Sequence, residues 1–131
     1  MATVFYPTDP DAASNLQNAT IFTRINIRAS AETVKQMFDT SPALLNSFCL
    51  GHYNDVLIFD RTEADHTPHV RTLLLSVQEK GLKADIKKCA FNQPSWANAG
   101  FHIEPLGSQG KRAFMVLLRE NIAAEARQDL A

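Results

Sequence analysis

The sequence predicts an α+β domain, a small antiparallel sheet with a β-hairpin packed by helices. Three observations carry this expectation. Residues 20–28 alternate Ile21, Thr23, Ile25 and Ile27 with Phe22, Arg24, Asn26 and Arg28, the period of two of a strand. Residues 48–59 set two apolar runs, FCL and VLIF, on either side of the polar knot GHYND, the pattern of a hairpin. Residues 63–80 then place Val70, Leu73, Leu74 and Val77 at helical spacing. The order is strand, helix, hairpin, helix, strand, helix, without an internal repeat or a low-complexity tract.

Residues 1–19 hold Pro7, Asp9, Pro10, Asp11, Ser14 and Asn15 and read as an irregular leader ahead of one domain over 20–131. The alternating strand of 20–28 offers its Arg24, Asn26 and Arg28 row to solvent and its isoleucine row to a core. It is expected to pair antiparallel with one arm of the hairpin. Ser30 is the expected N-cap of a helix over AETVKQMFD, whose Val34, Met37 and Phe38 share a face. Pro42 ends it, and ALLNSF gives a short further turn.

After the hairpin, Thr62 caps the next helix, with Asp65 at its third position completing an approximate capping box. That helix packs on the hairpin through Val56, Ile58, Val70, Leu73, Leu74 and Val77, and Gly81 ends it in a left-handed C-cap with Leu82 as apolar latch. LKADIKKCAF leads to an extended NAGFHIEP and a polar turn, LGSQG. A last helix is expected over KRAFMVLLRENIAAEARQDL, with Phe114, Leu117 and Leu118 aligned. These residues need either the sheet or an exposed patch to pack on.

Composition narrows the classes of function. The 131 residues are 45% apolar and 21% charged, an ordinary balance for one domain. Thirteen Lys and Arg against fourteen Asp and Glu create no global field towards nucleic acid or membrane. The apolar runs VLIF and FMVLL are too short to span a bilayer, and no membrane association is expected. The start, MATVFYPTDPDAASN, has neither a basic segment nor an apolar core, so the expected setting is intracellular, cytoplasmic or nuclear. Cys49 and Cys89 lack metal-site spacing and lie in apolar surroundings, as free thiols in a reducing compartment do. Without a secretion signal, Asn18-Ala19-Thr20 is a chance glycosylation sequon. His66 and His69 stand at i, i+3, the spacing of two ligands on one metal. No third ligand is evident, so they read as a solvent-facing first helical turn, and no metal site is expected. Trp96 reads as a packing residue rather than a base-stacking one.

Four polar residues, His52, Tyr53, Asn54 and Asp55, crowd a hairpin tip where Asn, Asp or Gly alone would serve. The stretch FCLGHYNDVLIFDRTEADHTPHVRTLLLSVQEKGLKADIKKCAF resembles the reverse transcriptase palm of gypsy-type LTR retrotransposons. That family reads Tyr-x-Asp-Asp, then Ile-Leu-Ile-Phe-Ser, a Thr-Glu-x-x-His-x-x-His-Val helix, Gly-Leu-Lys, and Lys-Lys-Cys-x-Phe. Here stand Leu57, Ile58 and Phe59, then Thr62, Glu63, His66, His69 and Val70, then Gly81, Leu82 and Lys83, then Lys87, Lys88, Cys89 and Phe91, without a gap. Ala31, Met37, Asp39, Leu44, Leu45, Asn46 and Phe48 before the hairpin, and Gly100, Phe101, Ile103 and Pro105 after it, extend the likeness to about residues 29–121.

The resemblance implies a half-palm of a reverse transcriptase with the start of a thumb. It puts the knot at the catalytic turn: His52 replaces the Tyr, Asn54 the first Asp, and Asp55 alone remains. The active family holds Mg²⁺ on carboxylates that clamp both oxygens of the transferred phosphoryl group. Asn54 cannot supply that charge, and no upstream strand presents the other metal-binding Asp, so catalysis is expected to be lost and no cofactor bound. Lys80, Lys83, Lys87 and Lys88 lie, in the family, near the primer-template; Glu79 and Asp85 dilute them, and a solvated face outweighs a nucleic-acid site. Two readings remain: a degenerate reverse transcriptase fragment with at most weak nucleic-acid affinity, or a retained interaction module that binds a protein or its own copy through an apolar surface.

Overall fold

The computed structural model describes residues 4–5, 12–40, 48–105 and 114–118. In chain order the elements are β1 (Val4–Phe5), α1 (Ala12–Asn18), β2 (Ile21–Asn26), α2 (Ala31–Asp39), β3 (Cys49–His52), β4 (Asp55–Asp60), α3 (Glu63–Glu79), β5 (Ala90–Gln93), β6 (Phe101–Pro105) and β7 (Phe114–Leu118), with a 3₁₀ turn at Ile86–Lys88 before β5. Five strands form one antiparallel sheet in the order β1-β3-β4-β2-β5, and β6 and β7 pair separately. This is an α+β fold.

The middle of the sheet is fixed by two registers. The β3–β4 hairpin runs from Cys49 opposite Ile58 to His52 opposite Asp55, leaving Tyr53 and Asn54 as a two-residue loop. The strand expected over 20–28 lies antiparallel against β4 as anticipated, from Ile21 opposite Asp60 to Asn26 opposite Asp55, with Ile25 opposite Val56. Ile27 continues beyond β2 as a single bridge to Ala84.

Each face of the sheet has its own core. On one face, Ile25, Ile27, Cys49, Val56 and Ile58 meet Val34, Met37 and Phe38 of α2 and Leu73 and Val77 of α3. On the other, Phe22, Leu50, Leu57 and Phe59 meet Leu16 of α1 with Ala99 and Phe101. Trp96 packs edge-on against Phe22 at 5.9 Å, the packing role expected of it. Hence β4, DVLIFD, is buried at every position, as a short apolar run between polar ends permits.

The helix boundaries follow capping chemistry. Ser30 accepts the Thr33 N–H to start α2, and Thr62 accepts the Asp65 N–H to start α3. At the far end of α3, Gly81 takes φ +72° and donates to Gln78 O, while Leu82 donates to Val77 O. Those two bonds are a Schellman closure, which needs a residue tolerating positive φ at that place. In α3, Leu73 and Val77 are fully in the core and Val70 and Leu74 pack at its margin, so the hairpin–helix contact stands as expected.

The structure corrects four expectations. The Arg24 and Asn26 side of the strand does not face solvent: Arg24 is 8% and Asn26 5% exposed, because α1 and the 96–101 turn cover that face, and only Arg28 points outward. Within the leader expected to be irregular, β1 pairs with β3, and α1 brings Leu16 into the second core. Phe114–Leu118 of the expected last helix is instead a strand paired with β6. FMVLL is a short apolar run whose pattern does not separate strand from helix, and pairing partners decided; the rest of that segment lies outside the described residues, as does most of ALLNSF. Finally, His66 is wholly buried rather than solvent-facing. Strand β5 had no counterpart among the expected elements.

Candidate functional site

The 52–55 turn is built from the β3–β4 loop and the end of β2. Tyr53 holds φ +57°, a region that costs a residue with a Cβ roughly 1 kcal/mol or more. The loop is held there by Asn54: its carbonyl accepts the Ile27 N–H at 2.8 Å, and its Nδ2 donates to the Ile27 carbonyl at 3.0 Å. Asn54 therefore prolongs the β2–β4 ladder past the turn.

Asp55 begins β4 with 1% of its surface exposed. Its Oδ1 accepts from Arg24 Nε at 2.9 Å and from Asn26 Nδ2 at 2.9 Å. The guanidinium lies under the backbone of Gly100, where φ is +92° and an added Cβ would stand 2.9 Å from an Arg24 nitrogen. His52 is also fully buried, its ring edge-on to Tyr53 at 4.6 Å, and neither ring nitrogen finds a hydrogen-bond partner among the described residues. Burial pushes the His52 imidazole below its ordinary pKa, against a smaller opposing pull from the Asp55 carboxylate.

These residues do not fit the magnesium that the reverse transcriptase resemblance implies. Asp55 directs its carboxylate at a cation and an amide inside the protein, and Asn54 turns its donor nitrogen towards a carbonyl. Among the described residues, no group of three or more His, Cys, Asp or Glu side chains is placed to hold a metal ion.

A second polar cluster, which sequence reasoning reached only through His66 and His69, joins β2, β4 and α3. His66 Nδ1 lies 2.7 Å from Asp60 Oδ2, and His69 Nδ1 lies 2.6 Å from Asp60 Oδ1. His66 Nε2 lies 2.6 Å from Thr23 Oγ1, which also accepts the Asn92 N–H at 3.1 Å. One proton arrangement satisfies all four contacts: both Nδ1–H groups donate to Asp60, and Thr23 donates to His66 Nε2. Phe48 stacks on His69 at 3.8 Å and 7°. A hydroxyl, an imidazole and a carboxylate in sequence is the order that activates nucleophiles. Thr23 and His66 are both 0% exposed, so no substrate reaches that hydroxyl, and the chain of bonds ties helix to sheet. The signal for it in the sequence is a pair of polar residues in buried strands, Thr23 within β2 and Asp60 at the end of β4.

Lys80, Lys83, Lys87 and Lys88 are all exposed, around the α3 C-terminus and the 3₁₀ turn. Arg28 joins them, 3.7 Å from Asp85, and Ile86 stands 67% exposed in their midst. The turn and the lysine-bearing segment meet around the end of β2, where Ile27 bonds Asn54 and bridges Ala84, the Asp85 N–H donates to Asn26 O and the Arg28 N–H donates to Lys83 O. Cys49 and Cys89 are not disulfide-bonded, and burial is the chief cause raising the pKa of both thiols. No helix among the described residues is long and apolar enough to cross a membrane. Comparison with protein-family models, with curated proteins and with solved structures gives no match.

Proposed function

We propose that this chain is a non-catalytic domain on a reverse-transcriptase-palm-like scaffold, in which the catalytic turn has become a structural joint. The observation that carries the reading is the buried Asp55 carboxylate, which accepts from Arg24 and Asn26. Phosphoryl transfer needs carboxylates open to metal ions and to the primer end; this one serves the interior. Nucleic-acid contact then falls to the exposed Lys83, Lys87 and Lys88, as weak, salt-sensitive binding to phosphates. Purified protein is expected not to extend a primed RNA or DNA template with Mg²⁺ or Mn²⁺. Template-dependent extension abolished by Asp55→Ala would overturn the reading. Fluorescence anisotropy with a primer-template duplex is expected to give weak binding that fades with added salt and with the double substitution K87E/K88E.

The interaction-module reading is favoured by a different observation: α3 and β5 leave Leu75 50% and Phe91 40% exposed beside one groove.

A further inference from the structure

We propose that α3 is a self-association surface, on which a second copy of this chain packs its own α3 antiparallel about a two-fold axis at Leu75. The proposal deepens the interaction-module reading. Helix α3 uses one stripe, His66, Leu73 and Val77, to meet the sheet. Its next stripe forms a groove of about 340 Å³ with β5, floored by Val70, Leu74, Leu75 and Phe91 and rimmed by Arg71 and Gln78.

The charges beside the groove are self-complementary. Arg71, Leu75 and Glu79 are four residues apart and lie along one ridge of the helix, all exposed. Arg71 and Glu79 have no ion-pair partner among the described residues. Each stands about 6 Å along the axis from Leu75, on opposite sides. An antiparallel helix centred on Leu75 therefore sets Arg71 of each copy against Glu79 of the other, twice, with Leu75 meeting Leu75 between them. An isologous two-fold contact requires this symmetry, and one helix supplies it. Strand addition at β5, the neighbouring sheet edge, is obstructed instead. Its register with β2 is irregular, Asn92 holds φ +54°, and Lys87 and Lys88 precede it, features that blunt an edge.

Sedimentation equilibrium of the full chain over a range of concentration and salt tests the proposal. A monomer–dimer equilibrium that weakens with salt is expected, with loss of the dimer in L75E, in R71E and in E79R. Combining R71E with E79R restores opposite charges across the axis and is expected to restore the dimer. The three positions are exposed, and an unchanged circular dichroism spectrum with a cooperative melt confirms that each variant folds. A chain that stays monomeric at every concentration overturns the proposal. So does a dimer indifferent to L75E, or one that the double exchange fails to recover. None of these variants touches Lys83, Lys87 or Lys88, so the nucleic-acid reading stands or falls separately by anisotropy.

Discussion

Asp55→Ala separates a structural turn from a catalytic one by the sign of its effect on stability. In a working active site, a carboxylate held for chemistry is often strained, and its removal is neutral or stabilising. Here the carboxylate is 1% exposed and accepts two hydrogen bonds at 2.9 Å, one from a guanidinium whose residue is 8% exposed. Breaking a buried ion pair from one side costs about 3–5 kcal/mol, because a nearly buried charge loses its counter-charge. For a chain of this size that loss lowers Tm by roughly 10–20 °C. Asp55→Asn keeps an oxygen for Arg24 and Asn26 but removes the charge, so it is expected to fall between wild type and Asp55→Ala. Pairing Asp55→Ala with Arg24→Met closes a double-mutant cycle, and the double variant is expected to be less damaged than the two singles added together. The assay is urea or thermal unfolding followed by circular dichroism. An Asp55→Ala protein that melts at or above the wild-type temperature would refute the structural assignment of the turn.

Asn54→Asp, which rewrites the turn towards the polymerase motif, replaces a donor to the Ile27 carbonyl by an acceptor and adds a charge beside Asp55; a destabilisation of about 1–3 kcal/mol, with no gain of polymerase activity, is expected in unfolding and primer-extension assays. Leu73→Ala removes a fully buried side chain from the α3–sheet core and is expected to cost about 3–5 kcal/mol, whereas Leu74→Ala, at the core margin, costs less. Acidification addresses His52: burial lowers its folded pKa beneath the unfolded value of about 6.5, so the unfolded chain takes up the proton first. Stability is thus full above that pH and declines as pH falls from there towards the lower folded pKa; His52→Leu is expected to flatten this part of a Tm-against-pH curve.

Much of the fold was legible because local rules and tertiary demands agreed. Ser30, Thr62 and Gly81 each sit where a helix end needs an acceptor or a positive φ, and all three act there. The alternating isoleucines set the face of β2, and the turn residues set the hairpin. What misled was the partner row of β2. Alternation reports that two faces differ, not that the polar one is wet, and Arg24 and Asn26 are polar because Asp55 across the ladder requires donors. The same holds for His66, whose helical position looked exposed until Thr23 and Asp60 were found on adjoining strands. FMVLL failed for want of length: five residues of apolar sequence fit a strand or a helix equally, and β6 supplied the ladder. The crowded polar turn stood out in the sequence, but the Asp55–Arg24 pair did not, because a buried partner 31 positions away leaves no local trace.

The pattern of satisfied polar groups bears on which of the two proposed readings the chain follows. A catalytic turn that merely decays leaves polar atoms in place while their former partners vanish, and buried polar atoms without partners cost about 1–3 kcal/mol each. In this protein the polar groups of the turn and of the Asp60 cluster have matched partners. Asn54 meets Ile27 with both a donor and an acceptor, Asp55 meets Arg24 and Asn26, and Thr23, His66, Asp60 and His69 close a continuous chain of bonds. The exception is His52, whose two buried ring nitrogens have no hydrogen-bond partner among the described residues. Agreement at so many buried positions is what distinguishes a sequence with one favoured packing from a drifting one. It weighs towards the proposed interaction module over a drifting relic.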